Sequence, residues 1–100
     1  MKAVRFHIEA EVELQAEANY YQERSAELAE RFVHEVQAAV RLASTFPEIG
    51  SPHRYGTRRV FPKRFPFSVI YQVLASEIVV LAIAPFPRKP NYWRGRKAED

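Results

Sequence analysis

The first half of the chain has apolar positions at helical spacing. One row recurs every four residues, at Ile8, Val12, Ala16 and Tyr20. A second row lies beside it, at Leu14, Ala18 and Tyr21. The two rows predict one apolar stripe on an amphipathic helix, with the glutamates largely outside it, at Glu9, Glu11, Glu13, Glu17 and Glu23. Several of these acids fall in the first turns, where the helix dipole favours negative charge.

A second amphipathic helix is predicted to begin after Ser25, a residue type that is favoured as an N-cap. Its apolar positions follow at spacings of four and three, at Leu28, Phe32, Val36, Ala39, Ala43 and Phe46. A neighbouring row widens the stripe, at Ala29, Val33 and Val40. Pro47 and Gly50 end the helix. Because the connection between the two helices is short, they are expected to form an antiparallel hairpin.

The second half of the chain changes to the periodicity of strands. Three runs are predicted strands: TRRVF (57–61), FPFSVIYQVL (65–74) and EIVVLAIA (77–84). In the second run, alternate residues from Phe65 to Val73 share one face, and Ser68 and Gln72 lie on the other. The third run is apolar on both faces, which indicates a central strand covered on both sides. KAVRF (2–6) is a candidate edge strand before the first helix.

This order of elements predicts an α+β fold. An N-terminal helical hairpin would pack on one face of a small, mostly antiparallel sheet of three to four strands. One hundred residues fit a single domain, 1–100, with 90–100 as a C-terminal tail. No signal peptide is visible, and the longest apolar run, 78–86, is too short to span a bilayer. We therefore expect a cytoplasmic protein with no membrane partner.

Charge is distributed unevenly along the chain. Residues 1–50 carry five Lys and Arg against nine Glu, a net −4, whereas residues 51–100 carry ten against three acids, a net +7. A basic half of this strength in a small domain can attract nucleic acid or an acidic protein surface, or can simply be a solvated face.

Several classes of chemistry have little support in the sequence. The chain has no cysteine, and the three histidines, at His7, His34 and His53, are scattered, so no metal site is predicted and each is expected at the surface or in a loop contact. With three glycines there is no phosphate-binding glycine-rich loop. The serines lie in no nucleophile elbow. No cofactor is expected.

The basic residues remain as the candidate functional groups. Arg58 and Arg59 lie on the first predicted core strand, and Lys63 follows it. The ending RKPNYWRGR (88–96) places four cations around an aromatic pair, at Arg88, Lys89, Tyr92, Trp93, Arg94 and Arg96. Cations gathered on one surface could bind phosphates or stabilise developing negative charge in phosphodiester cleavage. Tyr92 could stack on a base or exchange a proton. Alternatively, Tyr92 and Trp93 fold back and seal the sheet, with arginines stacked over them.

The ordered set of motifs resembles the RelE/ParE superfamily of toxins from bacterial type II toxin–antitoxin modules. Four segments carry the resemblance, ELQAEANYYQERSAELAERF, PEIGSP, RRVFPKRFPFSVIYQV and IVVLAIAPFPRKPNYWRGR, and together they cover nearly the whole chain. The ending is closest to the ParE-like branch, often labelled plasmid stabilisation proteins. One departure is Pro85, where the superfamily often has histidine.

The resemblance implies a growth-inhibiting toxin that a cognate antitoxin neutralises by laying its C-terminal segment across an apolar groove between helices and sheet. ParE-type members poison DNA gyrase. RelE-type members bind the ribosome and cleave mRNA. The resemblance is also compatible with a homodimer or a toxin–antitoxin heterotetramer.

The two branches imply different roles for the candidate residues. A ribonuclease would use Arg58, Arg59, Lys63, Arg88 and Tyr92 as catalytic residues. A gyrase inhibitor would use the C-terminal set as a target-binding segment, at Arg88, Lys89, Tyr92, Trp93, Arg94 and Arg96. The ParE-like spacing of the ending favours gyrase inhibition without catalysis. A non-toxic basic nucleic-acid-binding module is a further alternative.

Overall fold

The computed structural model describes all 100 residues and contains two α-helices, one 3-10 turn (Arg54–Gly56) and five strands. In chain order the elements are β1 (Ala3–Phe6), α1 (Ile8–Gln22), α2 (Ala26–Thr45), β2 (Ser51–His53), β3 (Thr57–Val60), β4 (Phe67–Val73) and β5 (Glu77–Pro85). The strands form one sheet in the order β1-β5-β4-β3-β2. Only the β1–β5 pair is parallel. The helical hairpin packs on one face, so the predicted α+β fold is confirmed.

The sheet has one strand more than the upper end of the predicted range. The additional strand is β2, a three-residue segment that pairs antiparallel with β3. Its sequence, SPH, has no alternation of apolar and polar residues and contains Pro52. Proline is confined to sheet edges because it cannot donate to a ladder, and β2 is an edge strand. Its short, polar sequence explains why periodicity did not reveal it.

Both helices begin at a side-chain cap. The Oγ of Ser25 accepts a hydrogen bond from the backbone N–H of Leu28 at 3.0 Å, which confirms the predicted start of α2. The Nδ1 of His7 accepts from the N–H of Glu9 at 3.1 Å and caps α1. These bonds satisfy N–H groups that have no partner inside a helix.

The main core lies between α2 and the sheet. Phe32 and Val36 are fully buried, and Phe32 contacts Phe65 and Phe67 with ring centroids 5.3 and 5.2 Å apart. The predicted inner face of α2 is confirmed as far as Ala43. Phe46 is an exception because it follows the last helical residue and is 58% exposed.

Of the two apolar rows predicted on α1, one is confirmed and the other was wrong. Ala10, which is fully buried, and the partly buried Leu14, Ala18 and Tyr21 contact the core. The row that begins at Ile8 faces solvent, with Val12 57% exposed. Glu13, predicted outside the apolar stripe, is largely buried against β5 and the C-terminal tail. Polar contacts made by Glu13 thus rotate the helix away from the face that its apolar row would select.

The second face of the sheet is covered by the C-terminal tail, residues 90–100. The register between β4 and β5 passes over Leu81, because Ile70 faces Ala82 while Tyr71 faces Val80. This bulge leaves Leu81 and Ala82 both in contact with the tail, Leu81 beside Ala98 and Ala82 beside Trp93. The expectation that the last strand is central and covered on both sides is confirmed. Neither helix has the length and apolar character needed to cross a membrane.

Candidate target-binding site at the C-terminal tail

Trp93 fixes the C-terminal tail to the sheet. Its side chain is 3% exposed and packs on Ile70, Ala82 and Ala84. The ring of His53 lies 5.7 Å away, centroid to centroid. Small alanine side chains on β5 leave room for the indole, so a large ring can lie close to the strand. The aromatic pair of RKPNYWRGR thus includes one residue that is an anchor rather than an exposed contact.

A buried carboxylate holds the tail against α1. Each carboxylate oxygen of Glu13 accepts from a different Nη of Arg96, both at 2.9 Å. The same carboxylate accepts from the backbone N–H of Ile83 at 3.0 Å and from the hydroxyl of Tyr92 at 2.6 Å. Arg96 also donates to the carbonyl of Leu81 at 2.8 Å. These side chains bond the part of β5 that extends beyond the end of β1. There, β4 still pairs with one edge of β5, but no strand pairs with the other.

The charge balance of this cluster keeps Tyr92 protonated. Burial, with the hydrogen bond to Glu13 and its negative charge, raises the pKa of Tyr92 well above its ordinary value. Burial works to lower the pKa of Arg96, but hydrogen bonding and the charge of Glu13 outweigh it and leave that pKa raised. A phenol in this state donates a hydrogen bond and is a poor general base at neutral pH.

The remaining cations of the segment 88–96 point outward. Arg88 lies over the ring of Tyr92, with its guanidinium carbon 3.8 Å from the ring centroid, and is exposed. Lys89 and Arg94 are also exposed. The target-binding set therefore divides into buried or half-buried anchors, Trp93, Arg96 and Tyr92, and three outward cations.

A cleft of about 270 Å³ opens between the tail and the sheet. Its polar lining includes His53, Arg54, Ser68, Arg88 and Lys89. Burial, helped by the positive charges of Arg59 and Arg54, lowers the pKa of His53. His53 is accordingly neutral at pH 7, and the charge of the cleft comes from arginine and lysine.

The structure does not gather the ribonuclease set on one surface. Arg88 and Tyr92 are in contact, but Arg58 donates to the carbonyls of Glu48 and Gly50 and braces the loop after α2. Lys63 lines a hollow beside α2. Opposite residues of an antiparallel pair share a face. Arg59 faces Ile70, which packs on Trp93, and so lies on the tail side, whereas Arg58 faces Tyr71 on the helix side.

The structure also corrects one expectation about the histidines. His7 was expected at the surface or in a loop contact, but it is buried, caps α1 and lies 3.3 Å from a carboxylate oxygen of Asp100. The chain has no cluster of three groups able to hold a metal ion. Sequence reasoning missed Glu13, because its partners Tyr92 and Arg96 are 79 and 83 positions away.

Comparisons with known proteins agree with the fold and with the ordered motifs. A family model described as "ParE toxin of type II toxin-antitoxin system, parDE" matches residues 4–85. A chain in the structure titled "Chromosomal ParDE TA system from P. aeruginosa" aligns with a TM-score of 0.73 at 25% identity, covering 85% of this chain and 96% of that one. Curated proteins gave no significant match. The family match ends at Pro85, so the tail lies beyond it.

Proposed function

The chain belongs to the ParE toxin family of type II toxin–antitoxin systems, and we propose that it arrests growth in the cytoplasm by poisoning DNA gyrase. ParE-type toxins inhibit gyrase, and residues 4–85 match that family. Family membership is the observation that carries the proposal.

A non-enzymatic action is supported by the arrangement of the polar residues. The hydroxyl of Tyr92 donates a hydrogen bond to Glu13. Its raised pKa keeps the hydroxyl protonated, so it cannot take a proton from RNA as a general base. The guanidinium of Arg58 donates hydrogen bonds to two backbone carbonyls of the loop after α2. Acid–base cleavage of RNA needs positioned groups that can exchange a proton near neutral pH, and neither residue meets that requirement.

The outward cations of the segment 88–96 are the proposed contacts with gyrase. Arg88, Lys89 and Arg94 are exposed, and their backbone is held by Trp93 and by the Glu13–Arg96 pair. A rigid support lowers the entropy lost when exposed side chains bind. Binding would therefore depend on the anchors for geometry and on the cations for charge complementarity.

We assign the exposed row of α1 to the cognate antitoxin. Ile8, Val12 and Tyr20 are 60, 57 and 47% exposed, and acidic residues flank them. An unpartnered apolar row of this length is typical of a surface that another chain covers. The antitoxin would then contact the acidic half of the toxin, and gyrase the basic half.

A gyrase cleavage assay tests the proposal. Purified protein, gyrase, ATP and supercoiled plasmid are incubated, and trapped complexes are opened with detergent and protease. Linear DNA that rises with toxin concentration is the expected result. In cells, induction of the chain alone should arrest growth and switch on a DNA-damage reporter. Absence of linear DNA at a large excess of folded toxin, with a silent reporter, would exclude gyrase as the target.

A further inference from the structure

Two exposed phenylalanines lie side by side, just past the ends of β3 and β5. Phe61 follows β3 and is 48% exposed, and Phe86 follows β5 and is 56% exposed. Their rings meet edge to face with centroids 6.0 Å apart. Neither ring belongs to a core cluster. A packing role would bury these rings, so their exposure calls for another explanation.

Cations surround the aromatic pair. The guanidinium carbon of Arg59 lies 5.4 Å from the ring centroid of Phe61, and the Nε of Arg59 is buried with no acceptor in the protein. Phe86 lines the cleft that also holds Arg54, Arg88 and Lys89. We call this set the aromatic–basic surface; it consists of Arg54, Arg59, Phe61, Phe86, Arg88 and Lys89.

Acids are scarce around the surface, although Glu35 of α2 lines a hollow that Phe61 also borders. No Asp or Glu occurs in residues 49–76 or 78–98, the two segments that supply all six residues. None of the four cations of the surface forms an ion pair. The depressed pKa of His53, caused by burial and then by Arg59 and Arg54, is a sign of the positive potential at this place.

We infer that the aromatic–basic surface binds single-stranded DNA, with bases stacked on Phe61 and Phe86 and phosphates held by the four cations. Exposed aromatic rings beside a basic groove are the two elements of sequence-tolerant single-strand binding. Bases in a duplex are stacked on one another, so rings on a sheet face could not reach them. A phosphate would also give Arg59 the anionic partner that it lacks within the protein.

The choice of DNA over RNA rests on the proposed function. A gyrase poison acts on an enzyme that cuts DNA and holds it open, so a segment of unpaired DNA near the bound toxin is a ready partner. Arg88 and Lys89 belong to both sets, so they would lie where the enzyme and its DNA meet, while Arg94 contacts the enzyme alone. Binding to DNA alone needs no gyrase, so the two proposals can fail separately.

The test measures binding of a fluorescent oligo-dT to the purified chain by anisotropy, without gyrase. If about four phosphates are neutralised, raising salt fourfold should weaken binding about 50-fold. Phe61→Leu and Phe86→Leu keep an apolar side chain but remove the π face. Each should weaken binding about tenfold, given the usual contribution of one stacked base. Arg88→Gln should reduce the salt dependence.

Matched control variants lie outside the surface. Phe46→Leu changes a phenylalanine that is 58% exposed at the end of α2, and Arg41→Gln changes an exposed arginine of α2. Both should bind as the unchanged chain does. Circular dichroism and urea unfolding verify that all variants fold equally well, which is expected because the substituted rings are largely exposed.

Several results would overturn the inference. They are absence of binding at low salt, equal losses in the control variants, duplex bound as tightly as single strands, or RNA of the same length bound more tightly than DNA. Anionic vesicles could also displace the oligonucleotide when lipid and DNA are present at equal concentrations of negative charge. That result would show that the surface recognises a layer of lipid headgroups rather than single-stranded DNA. The chain could bind the oligonucleotide and yet not trap gyrase cleavage complexes. The inference about the aromatic–basic surface would then be correct and the proposed target wrong.

Discussion

Glu13 and Arg96 form a bidentate ion pair across 83 positions of the chain, with both N–O distances at 2.9 Å. Their side chains are 14 and 15% exposed, and the carboxylate also accepts from Tyr92 and from the backbone of Ile83. One pair thus joins the first helix, the end of β5 that extends beyond β1, and the tail.

Arg96→Ala should destabilise the protein by about 2–4 kcal/mol, because it leaves the Glu13 carboxylate buried without its cation. The measurement is the free energy of unfolding in urea. Arg94→Ala is the matched control, since Arg94 is exposed and bonds only to the nearby carbonyl of Asn91; its effect should stay within about 0.5 kcal/mol. Equal effects of the two variants would show that the pair does not hold the tail.

Trp93→Ala should cost about 3–5 kcal/mol, the usual range for removing a buried large aromatic side chain. The variant should also free the tail, which limited proteolysis would detect as early cleavage after residue 86. Trp93 is the only tryptophan, so its fluorescence reports the docked tail directly. Phe86→Ala, at an exposed ring, is the control. Unchanged protease resistance in Trp93→Ala would contradict an anchoring role.

Tyr71 fastens the loop after α2. Its hydroxyl donates to the carbonyl of Pro47 at 2.8 Å and accepts from the N–H of Gly50 at 3.0 Å. Tyr71→Phe should lower the free energy of unfolding in urea by about 1–3 kcal/mol, because it leaves buried backbone groups unpaired.

Gly50→Ala should also destabilise the protein, since a Cβ would come within 2.9 Å of the carbonyl of Arg59 and 2.5 Å of the Tyr71 hydroxyl. Gly95→Ala, with open space around the Cβ, is its control.

His53 should make the stability depend on pH. Its pKa in the fold lies below the ordinary 6.5, chiefly because of burial, so the unfolded chain takes up this proton more readily. Stability should therefore fall as the pH drops through about 6.5, and continue to fall until the folded protein is also protonated. His53→Gln should flatten that dependence. The measurement is the free energy of unfolding from about pH 7.5 to about 5. The same slope against pH in the unchanged chain and in His53→Gln would contradict the lowered pKa of His53.

Arg88→Gln combined with Lys89→Gln should reduce trapping of gyrase cleavage complexes about tenfold or more, while changing stability by about 1 kcal/mol or less. Both side chains are exposed, and Arg88 contributes only a cation–π contact with Tyr92 to the fold. Arg31→Gln combined with Arg41→Gln is the control of equal charge on α2. Full trapping by the Arg88 and Lys89 variant would place the gyrase contact elsewhere on the toxin.

The candidate site could be predicted in part from the sequence. The cluster at 88–96 was visible because its cations and aromatics are contiguous, and the resemblance gave it a family. The division of that cluster into anchors and outward cations could not be seen, because it depends on what each side chain meets on the sheet. The contact between Phe61 and Phe86 could not be predicted, because 25 positions separate the two residues. Only the order of the strands in the sheet brings the two rings together.

The sequence by itself determined the elements whose faces are set by local periodicity. The stripe of α2 and the alternate residues Phe67, Val69 and Tyr71 of β4 each select the face that meets the core between helices and sheet, because the apolar residues are large and regularly spaced. The opposite face of β4 is buried as well, under the tail. Only the tertiary structure decided the rotation of α1. There, an alanine-rich face competes with a row of larger apolar residues, and contacts of Glu13 with β5, Tyr92 and Arg96 select the former. Bonds between distant positions leave no period in the sequence, so the folded chain alone reveals which face is buried and which remains for a partner.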